Sequence, residues 1–431
     1  MYVANSRKRP TRRAVLLGAG GAGALALSNP LGTAPVAAQA KGERTLLEVV
    51  PIKGKSGPGL EQLDPGMLKI MDRHGIPGAA LAVAKDGKLV HAKSYGWANV
   101  TTGDVTQPDT MFGLGSLSKT ITAVAIMQLV ERGKLSLDDA VFNILKHIKP
   151  PPGARVSPNL ADVTVRQCLN HSGGWNREVS GDPINWEPQI CRALKTPPPL
   201  SPEQFLSFIL TWPLDFKPGT AAVYSNVGYV ILGEVIAKVS GQSYDRFVTE
   251  NVLKPIGMKR IGLHSLDSKY LDNEARRTLA GTTTILPPMQ MPMVDAAGGW
   301  TASAVDMVRF LTNLDGSRGK SVLSEKSRQL MIEPPSKPIK PRADGTFFGL
   351  GWDMVWLKDK TFSYIKTGSY QGIRTYMKRL PTGVNWAMLF NTQMELDQLD
   401  GQIIVTTVRE VHQIIDRFEK YPDVDLFKEF P

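Results

Sequence analysis

The apolar positions in the first part of the chain are spaced first as in a helix and then as in two strands. Residues 60–74 place leucine, isoleucine and methionine on one helical face, and the run ends near Gly75. Residues 79–84 and 88–95 are strand-like runs separated by Asp86-Gly87, a dipeptide typical of tight hairpin turns. The pattern predicts a helix followed by an antiparallel hairpin.

A long apolar run then extends from Ile121 to Val130 and is interrupted only by Thr122 and Gln128. It predicts a buried helix that ends near Gly133. From about residue 130 to 290 the pattern is mainly helical, with long loops. Further helices are predicted there at residues 163–169, 202–210, 227–239 (ending at Gly241) and 244–253 (ending before Pro255).

The last third of the chain alternates between apolar and polar positions, as in a β-meander. A helix is predicted before it at residues 301–314, and another is predicted after it at about residues 399–418. The layout along the chain is therefore strand, helix and strand again. Successive antiparallel strands are predicted at residues 347–357, 361–367, 373–380 and 384–391, with a turn at residues 358–360.

The N-terminal segment has the composition of an export signal. Arg12-Arg13 precedes a short glycine-rich apolar run. Ala38-Gln39-Ala40 resembles the small-residue sequence at which signal peptides are cleaved. The adjacent arginines predict a twin-arginine signal over residues 1–40 and therefore a periplasmic or secreted protein. A short membrane anchor is the alternative, but the apolar run is too short and too weakly apolar to favour it. No stable membrane span is expected after cleavage.

The chain of 431 residues carries a formal net charge of +11, and five of these positive charges lie within residues 1–40. The remaining surplus is spread along the chain and forms no basic stripe interleaved with aromatic residues. This distribution gives no indication of nucleic-acid binding. It is consistent with a mild preference for anionic surfaces or substrates.

Cys168 and Cys191 are the only cysteines. An oxidising compartment permits a disulfide between them, which would fix the irregular loop after the first cysteine to the helix before it. Two unlinked buried thiols are the other interpretation, because cysteine packs as a small hydrophobic side chain.

Ser116 and Lys119 form an S-x-x-K motif at the start of the buried helix. The serine would lie at the positive end of the helix dipole, with the lysine three residues later on the same face. If that face is dry, burial lowers the pKa of Lys119, and the amine could then accept the hydroxyl proton of Ser116. The alternative is a serine that caps the helix and a solvated lysine.

Tyr224-Ser225-Asn226 lies just before the helix predicted at residues 227–239. A functional interpretation requires that neighbouring ammonium groups lower the pKa of the Tyr224 phenol, which could then shuttle protons between nucleophile and leaving group. Asn226 could hold a substrate amide or carbonyl. In the structural alternative, Ser225 or Asn226 simply caps the helix.

Lys366-Thr367-Gly368 lies at the end of a predicted strand. The Lys366 ammonium could attract a substrate carboxylate, Thr367 adds a hydroxyl, and Gly368 lets a substrate approach the backbone. The backbone N–H groups of Ser116 and Ser369 could then form an oxyanion hole. The structural alternative is an edge-strand lysine that runs into a turn.

The three motifs, in this order, resemble those of the penicillin-recognising serine enzymes. With tyrosine leading the middle motif, the resemblance is to the class C branch: class C β-lactamases, D-alanyl-D-alanine carboxypeptidases and related esterases. Residues 168–174, 224–233 and 297–300 also resemble that branch, and the similarity covers about residues 60–395.

The resemblance implies an α+β fold, in which an antiparallel β-sheet flanked by helices carries an inserted, mainly helical region. We expect one hydrolase domain over residues 41–431. Its sheet part would comprise about residues 45–130 and 291–431, and its helical part about residues 131–290.

The resemblance also implies roles for the motif residues. Ser116 would be the acylated nucleophile, and Lys119 and Tyr224 would share proton transfer, with the choice of base left open. Asn226, Lys366, Thr367 and Gly368 would contact substrate. No metal or organic cofactor is implied.

The expected activity is hydrolysis through an acyl-enzyme, with β-lactams or D-amino-acid peptides as small-molecule or peptide substrates that bear a carboxylate. A carboxylesterase or amide hydrolase of the same fold is the alternative. A Ser-His-Asp hydrolase around His171 is weaker, because the sequence contains no G-x-S-x-G. A non-catalytic cell-wall-binding protein is the alternative outside enzymes. The oligomeric state is not predicted.

Overall fold

The computed structural model of the protein describes residues 50–264, 269–358, 361–393 and 409–430. The predicted signal segment, residues 1–40, lies outside the described residues. So do residues 399–408, where the predicted closing helix would begin. Within the described ranges, no helix is both long and apolar enough to cross a membrane.

The described strands fall into two groups along the chain, one before residue 114 and one after residue 300, with a single short strand between them. They are β1 (Ile52–Ser56), β2 (Gly78–Lys85), β3 (Lys88–Asn99), β4 (Asp104–Val105), β5 (Met111–Gly113), β6 (Ile261–Gly262), β7 (Thr301–Ser303), β8 (Met354–Lys358), β9 (Thr361–Tyr370), β10 (Ile373–Arg379) and β11 (Val384–Phe390).

Most α-helices lie between these two groups of strands. The helices are α1 (Leu63–His74), α2 (Ser118–Glu131), α3 (Val141–Ile144), α4 (Val165–Leu169), α5 (Glu187–Leu194), α6 (Pro202–Ile209), α7 (Val227–Ser240), α8 (Tyr244–Val248), α9 (Lys254–Ile256), α10 (Ala304–Leu314), α11 (Glu325–Leu330) and α12 (Arg409–Arg417).

The central sheet joins the two ends of the described chain. Its strand order is β1-β3-β2-β11-β10-β9-β8, with β4 paired to β3. Each neighbouring pair is antiparallel, and the β2–β11 pair, in which Leu81 faces Met388, connects the N-terminal hairpin to the C-terminal meander. The antiparallel sheet flanked by helices that the resemblance implied is confirmed.

Alternation along β2 divides the apolar side chains between the two faces of the sheet. Leu81 and Val83 belong to the core beneath α1 and α12. Ala80 and Ala82 face the opposite core, where α10 packs on β2 and β11. Because successive strand residues point to opposite faces, one eight-residue strand covers both cores, and Ala80, Ala82 and Ala84 lie on the side of α10.

A small second sheet contains the first departure from the predicted elements. Thr301–Ser303, predicted as the first turn of a helix, is instead the strand β7, which pairs with β5 and β6. The helix α10 begins at Ala304, three residues later than predicted, because the Ser303 hydroxyl accepts the backbone N–H of Asp306 as an N-cap. Periodicity alone placed the helix start too early. The strand β6 lies within the stretch that was predicted to be helical.

Two predicted element boundaries are also wrong. The helical path does not stop before Pro255, because a π-turn at Thr249–Leu253 leads into α9 and leaves the proline in its first turn, where the missing N–H costs little. The strand predicted from residue 347 starts only at Met354. Its earlier part folds back so that Phe347 bridges Val355, with Gly351 at a φ of 94°.

The cysteine alternatives are resolved in favour of the unlinked one. Cys168 lies on α4 and Cys191 on α5, and both are buried free thiols. Burial raises the pKa of the Cys168 thiol. The two cysteines therefore serve as small core side chains between helices and form no disulfide.

Candidate active site

Ser116 lies in a tight turn that leads into the buried helix α2. Residues Gly115–Leu117 form one 3-10 turn, and α2 starts at Ser118. Gly115 has a φ of 53°, a region that favours glycine, and a Cβ there would come within 3.2 Å of the Ser369 nitrogen. The turn therefore presents a partly exposed Ser116 at the positive end of the helix.

Lys119 is fully buried behind this serine. Its Nζ lies 3.1 Å from Ser116 Oγ, 2.7 Å from Asn226 Oδ1 and 2.6 Å from the Ala297 carbonyl oxygen. Burial, and then the nearby ammonium of Lys366, lower the pKa of Lys119 well below its ordinary value, as the sequence predicted. A neutral amine fits all three contacts, because two N–H groups donate to the carbonyl oxygens and the lone pair faces the serine hydroxyl.

Tyr224 reaches the same serine from the other side. Its hydroxyl donates to Ser116 Oγ at 2.6 Å, and its ring centroid lies 5.1 Å from Lys119 Nζ and 5.3 Å from Lys366 Nζ. The functional interpretation required these ammonium groups to lower the pKa of Tyr224, and this condition is not met. Burial, and then the carboxylate of Asp353, raise it, so this residue is a neutral phenol in the free site.

Asn226 is held between Lys119 and an acidic side chain that the sequence analysis did not identify. Its Nδ2 donates to Asp182 Oδ2 at 2.6 Å, while its Oδ1 accepts from the lysine. Burial raises the pKa of Asp182, and the hydrogen bond from the amide opposes that rise. The capping alternative for this motif is wrong, since no side-chain cap is made at the start of α7.

Lys366 and Thr367 lie on β9 and contact the carboxylate of Asp353. The Lys366 side chain is fully buried, and its Nζ lies 2.6 Å from Asp353 Oδ1. The other oxygen, Oδ2, accepts the Thr367 N–H at 3.0 Å and the Thr367 hydroxyl at 2.9 Å. Burial lowers the pKa of Lys366, and the aspartate opposes this shift. The lysine is therefore an interior ion-pair partner, so the prediction of a plain edge-strand residue is wrong.

Gly368 allows β9 to pack directly on the Ser116 turn. A Cβ at Gly368 would lie 2.2 Å from the Leu114 carbonyl oxygen and 3.1 Å from the Ser116 nitrogen. The Thr367 N–H points away from β10 towards Asp353, and N–H groups two residues apart on a strand point to the same side. The Ser369 N–H therefore emerges on the side of β9 that faces away from β10, next to the Ser116 turn.

His171 supports Tyr224 from behind and has no bond to the nucleophile in its described contacts. Its Nδ1 accepts the Ser225 N–H at 3.2 Å, and its ring centroid lies 4.5 Å from that of Tyr224. Burial, and then Lys366, lower the pKa of the imidazole well below its ordinary value. The residue has a φ of 62°, as expected for the turn position that the sequence predicted. The Ser-His-Asp alternative gains no support.

Asp353, Asp182 and the Ala297 carbonyl are the site groups that motif reasoning missed. The carbonyl belongs to a π-turn, Asp295–Gly299, and backbone groups leave no mark in a sequence motif. The two aspartates are single acidic residues in irregular segments. In the described part of the chain, no cluster of three or more His, Cys, Asp or Glu side chains is placed to hold a metal ion.

Comparison with known proteins agrees with the motifs. A family model described as beta-lactamase matches residues 67–405. Among curated relatives, protein flp of Staphylococcus aureus strain MW2 is 24% identical over 67% of this chain and 55% of its own length. Penicillin-binding protein 4 of Amycolatopsis lactamdurans is 29% identical over 74% of this chain and 81% of its own. The chain thus spans little more than half of the first relative.

The fold has a solved counterpart as well. The octameric penicillin-binding protein homologue from Pyrococcus abyssi aligns with a TM-score of 0.67 and 25% identity, over 86% of this chain and 80% of that one. The family model covers most of the sequence and contains all three motifs, which the structure brings together around Ser116. The chain therefore belongs to the beta-lactamase family.

Proposed function

We propose that this protein hydrolyses acyl compounds through an acyl-enzyme on Ser116. The observation that carries the proposal is the position of Ser116 Oγ, which lies 3.1 Å from Lys119 Nζ and 2.6 Å from the Tyr224 hydroxyl. A nucleophile needs a base within hydrogen-bond reach, and here two proton-transfer groups contact the same oxygen.

The lowered pKa of Lys119 and the raised pKa of Tyr224 support the lysine as the base. Neutral Lys119 takes the Ser116 proton as Oγ bonds to the substrate carbonyl carbon. The resulting oxyanion accepts hydrogen bonds from the backbone N–H groups of Ser116 and Ser369. The carbonyl then re-forms as the bond between its carbon and the leaving group breaks, and Tyr224 relays the proton from Lys119 to the departing group. A water molecule then attacks the acyl-enzyme, releases the acid and restores the serine.

Two substrate classes fit this chemistry. β-Lactams and D-amino-acid peptides are the class expected when Lys366 and Thr367 bind a substrate carboxylate. Esters and amides without a carboxylate are the second candidate. One observation favours this second class: the Lys366 ammonium is already paired with Asp353 at 2.6 Å.

The proposed activity is tested by pre-steady-state hydrolysis of p-nitrophenyl acetate, a neutral activated ester that avoids the choice between the two classes. We expect a burst of about one nitrophenolate per enzyme followed by slower turnover, which is the kinetic fingerprint of an acyl-enzyme. Absence of both burst and turnover, with the ester and with a chromogenic cephalosporin, would favour the non-catalytic cell-wall-binding alternative.

We also propose export, on the strength of residues 1–40 alone. With Arg12 and Arg13 both changed to lysine, we expect the protein to stay in the cytoplasm, because the twin arginines are read as an address. The matched control changes Arg7 and Arg9 to lysine, which keeps the charge and should leave export intact. Intact mass of the exported protein is expected to show a chain that starts near Lys41. An uncut chain starting at Met1 would contradict this proposal.

A further inference from the structure

The carboxylate of Asp353 occupies the polar groups that the K-T-G motif would offer to a substrate carboxylate. One oxygen pairs with the Lys366 ammonium at 2.6 Å. The other accepts both the N–H and the hydroxyl of Thr367, at 3.0 Å and 2.9 Å. A carboxylate supplied by the chain itself is therefore bound by the motif.

The register of the β8–β9 hairpin explains why an aspartate at this position reaches the motif. Met354 faces Ile365 in the antiparallel pair, so the next residue outwards, Asp353, comes opposite Lys366. The ladder ends there, and the Thr367 N–H would otherwise lack a strand partner. Beyond the end of β8, the Asp353 side chain accepts the hydrogen bond from the Thr367 N–H that a neighbouring strand would otherwise accept. The same side chain holds the Lys366 ammonium in position.

The pair is interior, so it cannot be treated as a screened surface contact. The side chain of Lys366 has no exposed surface, and that of Asp353 is only 13% exposed. Separating such a pair leaves a buried ammonium without its partner, which is strongly unfavourable. A substrate carboxylate that approaches Lys366 must displace Asp353 or accept its repulsion.

A second carboxylate of the chain, that of Asp182, also disfavours a negatively charged substrate. Asp182 holds the amide of Asn226 at 2.6 Å, so the other predicted substrate contact also faces a negative group. Two opposing charges lie nearby: Arg342, whose guanidinium donates to the Asp353 backbone carbonyl at 3.3 Å, and Arg177, whose guanidinium lies 5.3 Å from the Tyr224 ring. The Arg177 side chain is 50% exposed and pairs with Glu178, so water and a counter-charge weaken its field.

We infer that Asp353 closes the carboxylate subsite of Lys366 and Thr367 and thereby selects acyl substrates whose leaving group carries no carboxylate, such as neutral esters and amides. The inference rests on the proposed function, because it concerns the substrate class of that same site. Asp353 acts through Lys366 and is a specificity-determining, positioning residue.

The test uses two aryl acetates that share the scissile ester and differ in one group of the leaving phenol. These are 3-acetoxybenzoate, which carries a carboxylate, and 3-acetoxybenzamide, its neutral carboxamide. We expect the wild-type protein to hydrolyse the benzamide with a kcat/KM about tenfold higher than that for the benzoate, because Asp353 repels the carboxylate of the benzoate. In D353N, the ratio of the two kcat/KM values should shift towards the benzoate by at least about tenfold, mainly through KM.

Two variants separate specificity from folding. D353N keeps an oxygen for the Thr367 N–H, and D353S provides a second, smaller acceptor, so a shared shift in both ties the effect to the lost charge. D182N removes one negative charge from the same cleft without touching Lys366. We expect its substrate ratio to move by less than about threefold, because the charge is not on the lysine. Thermal unfolding of each variant measures any purely structural effect, which would lower both rates together and leave the ratio unchanged.

The outcomes distinguish this inference from the proposed function. A wild-type preference for the benzoate overturns the inference, and so does an unchanged ratio in D353N and D353S. Hydrolysis of p-nitrophenyl acetate with neither acetoxy compound accepted also overturns it, because the neutral leaving group should fit. Retention of activity in S116A overturns the proposed function instead. The expected wild-type preference together with its shift in D353N and D353S supports both.

Discussion

Replacing Ser116 with alanine is expected to lower kcat/KM for p-nitrophenyl acetate by at least about 10⁴-fold, as when a serine hydrolase loses its nucleophile. The Ser116 hydroxyl is the group in contact with both Lys119 Nζ and the Tyr224 hydroxyl, so its loss removes covalent catalysis altogether. The measurement is steady-state hydrolysis, together with loss of the nitrophenolate burst.

The matched control is Ser56→Ala, because Ser56 is a serine outside the candidate site whose hydroxyl contacts a histidine. Its Oγ lies 2.8 Å from His91 Nδ1, and the Tyr95 hydroxyl lies 3.3 Å from the opposite ring nitrogen. Burial lowers the pKa of His91 to about 3, and Tyr95 belongs to the core beneath α1 and α12. We expect S56A to retain full activity. Loss of activity in S56A with retention in S116A would show that Ser116 is not the nucleophile.

Replacing Lys119 with methionine should be the next most damaging change, with kcat lowered by about 10²- to 10⁴-fold for loss of a general base. Methionine fills similar volume but accepts no proton, and it also removes the donor to Asn226 Oδ1 and the Ala297 carbonyl oxygen. The exposed pair partner Lys254, which lies 2.7 Å from Glu250, offers a control, and Lys254→Met should leave kcat unchanged. Equal losses in both variants would show that a general charge effect, and not base catalysis, is responsible.

The pH dependence identifies the base independently. The pKa of Lys119 is lowered in the folded protein, and only the neutral amine accepts a proton. The kcat/KM of the wild type should therefore fall as the pH drops through that lowered pKa and reach a plateau above it. In K119M this limb should disappear. A wild-type limb that persists unchanged in K119M would transfer the role to another group.

The repeating patterns predicted the architecture because each depends on local spacing. The apolar run after Ser116 and the Asp86-Gly87 turn lie where periodicity placed them, and the C-terminal meander is present, although its first strand starts at Met354 instead of residue 347. The failures come from tertiary pairing. Thr301–Ser303 became a strand because β5 and β6 lie beside it, and no local pattern records that neighbour.

The motifs predicted most of the candidate site because the S-x-x-K and Y-x-N residues meet around one hydroxyl. The electrostatics of Tyr224 were beyond sequence reasoning, since its pKa is decided by burial and by Asp353. The Asp353 contact was missed because the predicted pairing of the two strands is shifted by one residue. Lys358 pairs with Thr361, so Asp353 comes opposite Lys366, whereas the predicted strand bounds, with residue 357 opposite residue 361, shift the register by one residue.

The measurement that tests the central claim most directly is the location of the trapped acyl group. The protein is mixed with p-nitrophenyl acetate, quenched in acid within the burst, digested and mapped by mass spectrometry, with S116A treated in parallel. The account predicts one acetyl group on Ser116 in the wild type and none on the corresponding peptide of S116A. An acetyl group on another residue, or steady turnover with Ser116 unmodified, would contradict it.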